Sequence, residues 1–216
     1  MKLLINCLLA SLVFASHAFS QSSSVQYGAA ALQRTVNLLN GTPVANGNRV
    51  WIGSFDSTFT LAGNEDDPAA LFAAWNPFGS TPSANIVTLG PPFNQAGSFS
   101  ANSSSTDAQF NNQRIYLWMF STTGAAAPNT ANWGNVQQYG LFSSTITEWN
   151  FLPVGGAPPN QRQINTDQIN EALYGSIVGN QLRLNTVNPV PEPSILGLLG
   201  LAIPTLILTL RRRRTR

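Results

Sequence analysis

The sequence predicts an all-β chain: one sandwich or jelly-roll-like domain with one or two short helices, between an N-terminal signal peptide and a C-terminal transmembrane helix. Short runs rich in β-branched and aromatic residues recur along the chain, and Asn, Gly and Pro separate them as turns. The run Gln113–Phe120 is nearly continuous in apolar character, which predicts a central strand buried on both faces. No repeat is visible, so residues 21–188 are expected to form a single domain.

The first 20 residues have the layout of a secretory signal peptide. Lys2 supplies a positive start, Leu3–Phe14 is mostly apolar, and small residues follow. This pattern predicts cleavage after Ser20 and export of the remainder. The polar segment 21–24 that follows is expected to be frayed.

Further elements follow from local patterns. The segment 29–40 fits a short helix or an irregular strand, and 76–112 is expected to be irregular, with Phe93 and Phe99 pinning its loops. The capping-box residues Asn165 and Gln168 predict a helix through Leu173. The predicted strands are Arg49–Phe55 (continued on a partner by Phe59 and Leu61), Gln113–Phe120, Gln137–Phe142, Thr145–Phe151 and Gln181–Asn185.

The acidic segment Glu65–Asp67 has two interpretations. Asp67 followed by Pro68 is typical of a helix start, with Asp67 as the N-cap, Pro68 at the first helical position and the helix continuing over 69–75. The alternative is a calcium loop, because carboxylate oxygens are the ligands that calcium prefers. The EF-hand spacing is absent, which favours the helix cap.

Composition excludes several reaction classes for the exported region. Cys7, His17 and Lys2 are the chain's only cysteine, histidine and lysine, and all three lie in the signal peptide. Catalytic triads, Schiff-base chemistry and zinc sites built on Cys or His are therefore ruled out for residues 21–190. Glycoside hydrolysis by two carboxylates stays open, and its candidates are Asp56, Asp107 and Glu148. No cofactor is expected.

The charge balance argues against a nucleic-acid partner. Residues 21–190 contain five arginines and eight carboxylates, a net charge of −3, so the basic pI of the whole chain comes from its C-terminus. A weakly acidic region without basic clusters binds phosphate backbones poorly. The polar but nearly uncharged composition suits hydrogen bonding to a glycan, and it equally suits a structural protein without a particular ligand. Trp133, between Asn132 and Gly134, is the candidate for an exposed residue on which a sugar could stack.

The C-terminal segment 189–216 combines three features in order. Residues 190–194 read Val-Pro-Glu-Pro-Ser, residues 195–210 are apolar and uncharged, and Arg211, Arg212, Arg213 and Arg214 follow. The apolar run is short for a membrane span, although arginine side chains can extend its reach. The arginine cluster is expected to stay on the cytoplasmic side and to stop transfer there.

This arrangement resembles the PEP-CTERM sorting domain of Gram-negative bacteria, over about residues 189–214. The resemblance implies that Pro191, Glu192 and Pro193 are recognised by an exosortase, a membrane-embedded protease-transpeptidase. It implies that the tail is removed after export through the secretion translocon. Before processing, the protein would be anchored in the inner membrane through 195–210 and face the periplasm; afterwards it would reach the cell surface or extracellular matrix. The proline pair predicts an extended, stiff recognition segment.

Three functions follow as hypotheses. The leading one is a non-enzymatic surface or matrix protein linked to exopolysaccharide or a biofilm. The alternatives are a secreted carbohydrate-binding module and a two-carboxylate glycan-active enzyme.

Overall fold

The computed structural model describes residues 22–80, 83–124, 127–155 and 160–187. This part of the chain is mostly β, as the sequence predicts. Within these ranges, one α-helix, α1 (Pro68–Ala74), and four 3₁₀ turns accompany the strands. The strands are β1 (Ser23–Ala29), β2 (Thr35–Asn37), β3 (Arg49–Phe55), β4 (Trp75–Pro77), β5 (Ser83–Asn85), β6 (Phe99–Ser105), β7 (Tyr116–Thr122), β8 (Val136–Ser143), β9 (Gln161–Asn165), β10 (Glu171–Tyr174), β11 (Ser176–Val178), β12 (Gln181–Arg183) and β13 (Asn185–Thr186).

The strands form three sheets. The large sheet has seven antiparallel strands in the order β10-β8-β7-β3-β4, with β13 also paired to β8 and β5 to β3. The small sheet has the order β6-β1-β9, in which β1 pairs antiparallel to β6 and parallel to β9. The third sheet has the order β11-β12-β2.

One hydrophobic core joins the large and small sheets. Val50 and Leu117 from the large sheet pack in the same cluster as Val25 and Tyr27 from β1 and Ile164 from β9. Strand side chains alternate between faces, so the residues between them point the other way. Two sheets that share a core in this way are consistent with a β-sandwich.

The opposite face of the large sheet is aromatic. Trp51 and Trp118 are register partners on β3 and β7, and Phe72 of α1 packs against both rings. Both faces of β7 are therefore covered, which confirms the prediction of a central strand buried on both sides.

Several local predictions are confirmed. β3 has the predicted bounds, and β8 contains the predicted strand Gln137–Phe142. β12 covers only the first three residues of the predicted strand Gln181–Asn185, because Asn185 begins β13. Asp67 caps α1 with Pro68 in its first turn, and its carboxylate accepts the N–H groups of Ala69 and Ala70 at 3.0 and 3.1 Å. The capping box of Asn165 and Gln168 is also present.

Other local predictions were wrong, and packing explains the differences. The segment predicted to be frayed begins β1, where Ser23 is 1% exposed. The capping box opens a 3₁₀ turn, Thr166–Gln168, after which 171–174 pairs with β8 as a strand instead of continuing as a helix. The predicted strand 145–151 contains a 3₁₀ turn at Thr147–Trp149.

The region 59–112 also differs from its prediction. Phe59 and Leu61 lie in a turn region without strand pairing. The segment predicted to be irregular contains β5 and β6, in which Phe99 is buried, whereas Phe93 is 50% exposed.

Candidate functional site

The residues of the predicted sorting signal lie outside the described part of the chain. This holds for Pro191, Glu192 and Pro193, for the span 195–210 and for Arg211–Arg214, as well as for the signal peptide 1–20. Within the described ranges, no helix is long and apolar enough to cross a membrane.

The acidic segment before α1 uses its carboxylates to hold the local backbone. The Glu65 carboxylate accepts the N–H of Gly63 at 2.7 Å, and Asp67 serves as the helix cap. Across the described residues, no group of three metal-ligating Cys, His, Asp or Glu side chains comes together. The geometry therefore supports the helix-cap interpretation of Glu65–Asp67.

The three candidate catalytic carboxylates lie on different elements. Asp56 follows β3 and accepts the side-chain N–H of Asn76 at 2.6 Å. Glu148 is exposed in the 3₁₀ turn Thr147–Trp149. Asp107 caps the 3₁₀ turn Ala108–Phe110 and accepts the N–H of Gln109 at 3.0 Å.

Asp107 also lines a groove of about 420 Å³ beside the open end of β6. Its neighbours there are hydroxyl and amide side chains, including Ser104, Thr106 and Gln109. A two-carboxylate mechanism needs a second carboxyl group about 5–10 Å from the first. Asp107 is the single carboxylate among the lining residues, so the groove does not supply that pair.

Trp133 lies in the aromatic cluster, which we define as Trp51, Phe72, Trp75, Trp118, Phe120, Trp133 and Tyr139. Its ring is 5.4 Å from Phe72 and 5.2 Å from Tyr139, centroid to centroid. The side chain is half-buried rather than exposed, because it covers the large sheet next to α1.

The aromatic cluster holds polar groups in an apolar setting. The indole N–H groups of Trp75, Trp118 and Trp133 are buried and have no hydrogen-bond partner in the described structure. The faces of neighbouring rings are the acceptors that such a cluster offers. The Tyr139 hydroxyl instead donates to the Glu65 carbonyl at 2.7 Å. Burial, followed by the neighbouring Tyr174, raises the pKa of Tyr139 above its usual value of 10.0.

A flat polar surface lies on the outer face of the small sheet. We call it the amide face and define it by nine residues in three rows across β6, β1 and β9. These rows are Ser104-Ser24-Gln161, Asn102-Gln26-Gln163 and Ser100-Gly28-Asn165.

The alternation of β1 explains this surface. Val25, Tyr27 and Ala29 are buried in the core, so Ser24, Gln26 and Gly28 face outwards. At Gly28 the missing side chain leaves a depression of about 100 Å³, lined by polar residues such as Gln33 and Gln163. A Cβ at Gly28 would lie 2.8 Å from the Phe99 carbonyl oxygen, so the close approach of β6 requires glycine there.

Comparison with protein families, with curated proteins and with solved structures finds no match to this chain. The residues of the molecule are therefore the basis for any functional proposal.

The sequence reasoning missed the amide face because it missed β1 and β6. The signal was present as a period-two pattern in segments dominated by Ser, Asn and Gln. In 24–28 and 100–104, polar residues alternate with the inward-facing Val25, Tyr27, Ala101 and Ser103. Such residues have weak strand propensity, so composition hid the alternation.

Proposed function

We propose that the chain is an exported, non-enzymatic surface or extracellular-matrix protein, sorted through its C-terminal signal. The observation that carries the proposal is the order of three features at residues 190–214: the Pro191-Glu192-Pro193 motif, the uncharged apolar run 195–210 and the arginine cluster. The N-terminal segment supports it, because residues 1–20 have the layout of a secretory signal peptide.

The proposed partners follow from the same features. They are the secretion translocon, an exosortase-type membrane protease and, after processing, an exopolysaccharide of the surface or matrix. The apolar run would hold the chain in the inner membrane of a Gram-negative cell until the tail is removed. The non-enzymatic role is supported by the composition of residues 21–190, which contain no Cys, His or Lys.

The test compares the mass of the recovered protein with that of a motif variant. The wild-type chain and Pro191→Ala/Pro193→Ala are isolated from the envelope and medium of the native cell, and intact mass and C-terminal peptides are measured. We expect the wild type to lack 195–216 and the variant to retain it.

The matched control is Pro189→Ala, which removes a neighbouring proline and leaves the motif intact, so it should be processed like the wild type. If the wild-type protein keeps Arg211–Arg214, the tail is a plain anchor and the sorting proposal fails.

A second candidate, a secreted carbohydrate-binding module, is favoured by the amide face. It agrees with the leading proposal on export and differs in giving the domain a ligand of its own.

A further inference from the structure

The amide face carries no charge and no large apolar side chain. All nine positions are Ser, Asn, Gln or Gly, on three strands that belong to one small sheet. Adjacent strands lie about 4.8 Å apart and alternate residues about 6.8 Å apart, so the face measures roughly 10 by 14 Å. It is a regular array of hydrogen-bonding groups of a size that suits an extended chain.

The middle row has free hydrogen-bonding capacity. Asn102, Gln26 and Gln163 stand side by side in register, and each is exposed. Within the described structure, none of their side-chain amides forms a hydrogen bond. Each carboxamide offers two N–H donors and one carbonyl acceptor. The row therefore presents both kinds of partner to a ligand.

The residue types on this face disfavour the strands that carry them. Exposed strand positions are best filled by Thr, Val, Ile or aromatic residues, whereas Gly and Asn are depleted in strands. None of the nine positions holds a favoured type. A local choice that opposes the fold is expected where function takes precedence over stability.

We infer that the amide face binds an extended, uncharged polysaccharide through hydrogen bonds, with the depression at Gly28 receiving a ring substituent. The absence of charged side chains on the amide face fits an uncharged partner. A nucleic acid would require Lys or Arg side chains there, and an ionic glycan would require side chains of the opposite charge. A protein partner fits less well, because protein interfaces are enriched in aromatic residues, Met and Arg and depleted in Ser. The inference rests on the proposed surface or matrix role for its biological partner.

The test measures glycan binding by the full chain, purified in a polyoxyethylene detergent that contains no sugar. Depletion isotherms are recorded on insoluble cellulose, chitin and β-1,3-glucan, with immobilised alginate as the anionic comparison. We expect saturable binding to at least one neutral glycan. The variant Gln26→Thr/Asn102→Thr/Gln163→Thr should bind that glycan at least about tenfold more weakly, because three carboxamides, each with two N–H donors and a carbonyl acceptor, are replaced by shorter side chains with a single hydroxyl.

The controls separate loss of binding from loss of folding. Threonine favours strands, so the melting temperature of the triple variant should equal or exceed that of the wild type. Gln137→Thr changes an exposed glutamine on β8 of the large sheet and should leave binding unchanged. Gln26→Glu keeps the side chain's size and should weaken binding by placing a charge in the middle row.

Three results would overturn the inference: no binding of the wild type to any neutral glycan, equal binding by the triple variant, or self-association of the chain that the triple variant abolishes. Sorting is measured separately by tail removal. Glycan binding by a protein that keeps its tail would therefore contradict the sorting proposal alone.

Discussion

Tyr139 shows how one side chain can connect two layers of this domain. Its ring stacks on Tyr174 at 4.3 Å between centroids, and its hydroxyl donates to the Glu65 carbonyl just before α1. The residue is buried, so ionisation would place an uncompensated charge among aromatic rings. This is the physical reason for its raised pKa.

That shift predicts how stability depends on pH at the alkaline end. A group whose pKa is raised by folding stabilises the protein below its ordinary pKa, here 10.0, and this contribution is lost as the pH rises beyond it. The free energy of unfolding should therefore fall above about pH 10. In Tyr139→Phe the fall should be shallower by up to about 1.4 kcal/mol per pH unit, the value for one proton.

Urea unfolding between pH 8 and 11.5 measures both slopes. The slope for Tyr139→Phe is compared with the slope for Tyr174→Phe. Tyr174 is only half-buried, and burial raises its pKa as well. If the free energy of unfolding falls equally steeply with pH in the wild type and in Tyr139→Phe, Tyr139 is not the source of the pH dependence.

At the scale of elements, β1 is the strand that was not predicted from the sequence, and the small sheet depends on it. It lies between β6 and β9, and its inward side chains join the core of the large sheet. Val25→Ala should therefore destabilise the fold by about 2 kcal/mol, from lost burial and the cavity left behind.

The matched control for β1 is Val178→Ala on β11, where the side chain is 43% exposed and the expected change is within about 0.5 kcal/mol. Both variants are compared by chemical unfolding followed through tryptophan fluorescence. Equal midpoints for Val25→Ala and the wild type would mean that the segment is frayed after all.

Elements with local signals could be predicted from the sequence, whereas elements that depend on partners could not. Arg49–Phe55 is rich in strand formers, and Asp67-Pro68 is a capping pattern, so both were predicted correctly. The segment 171–174 became β10 because β8 offered an edge, and Trp133 became half-buried because Phe72 and Tyr139 are its neighbours. Neither partner can be read from the local sequence.

The candidate surface was still harder to predict than the fold. The amide face combines residues from β6, β1 and β9, and each strand alone resembles a polar loop. Its identity as a surface depends on register, which places Asn102, Gln26 and Gln163 in one row. The sequence indicated an uncharged, hydrogen-bonding exterior but not its location.

At the scale of the whole molecule, the distribution of amino groups offers a test of export. Lys2 is the only lysine, so a chain cleaved after Ser20 retains at most the α-amino group of Gln21. Protein recovered from the envelope and treated with an amine-reactive ester should gain at most one label by intact mass. The uncleaved chain carries two amines, and finding two labels would contradict the signal-peptide prediction.

The pairing of β1 also bears on when the molecule can fold. Ser24 at the start of β1 hydrogen-bonds to Asn160, which lies 136 residues further along the chain. The other strand that pairs with β1 is β6, which begins at Phe99. Such distant pairings form slowly, because the intervening chain must be brought together first. β1 therefore has neither of its strand partners while the ribosome is still making the first 98 residues. The small sheet can be completed only after β9 (Gln161–Asn165) has been synthesised, so this part of the fold is finished late in the synthesis of the chain.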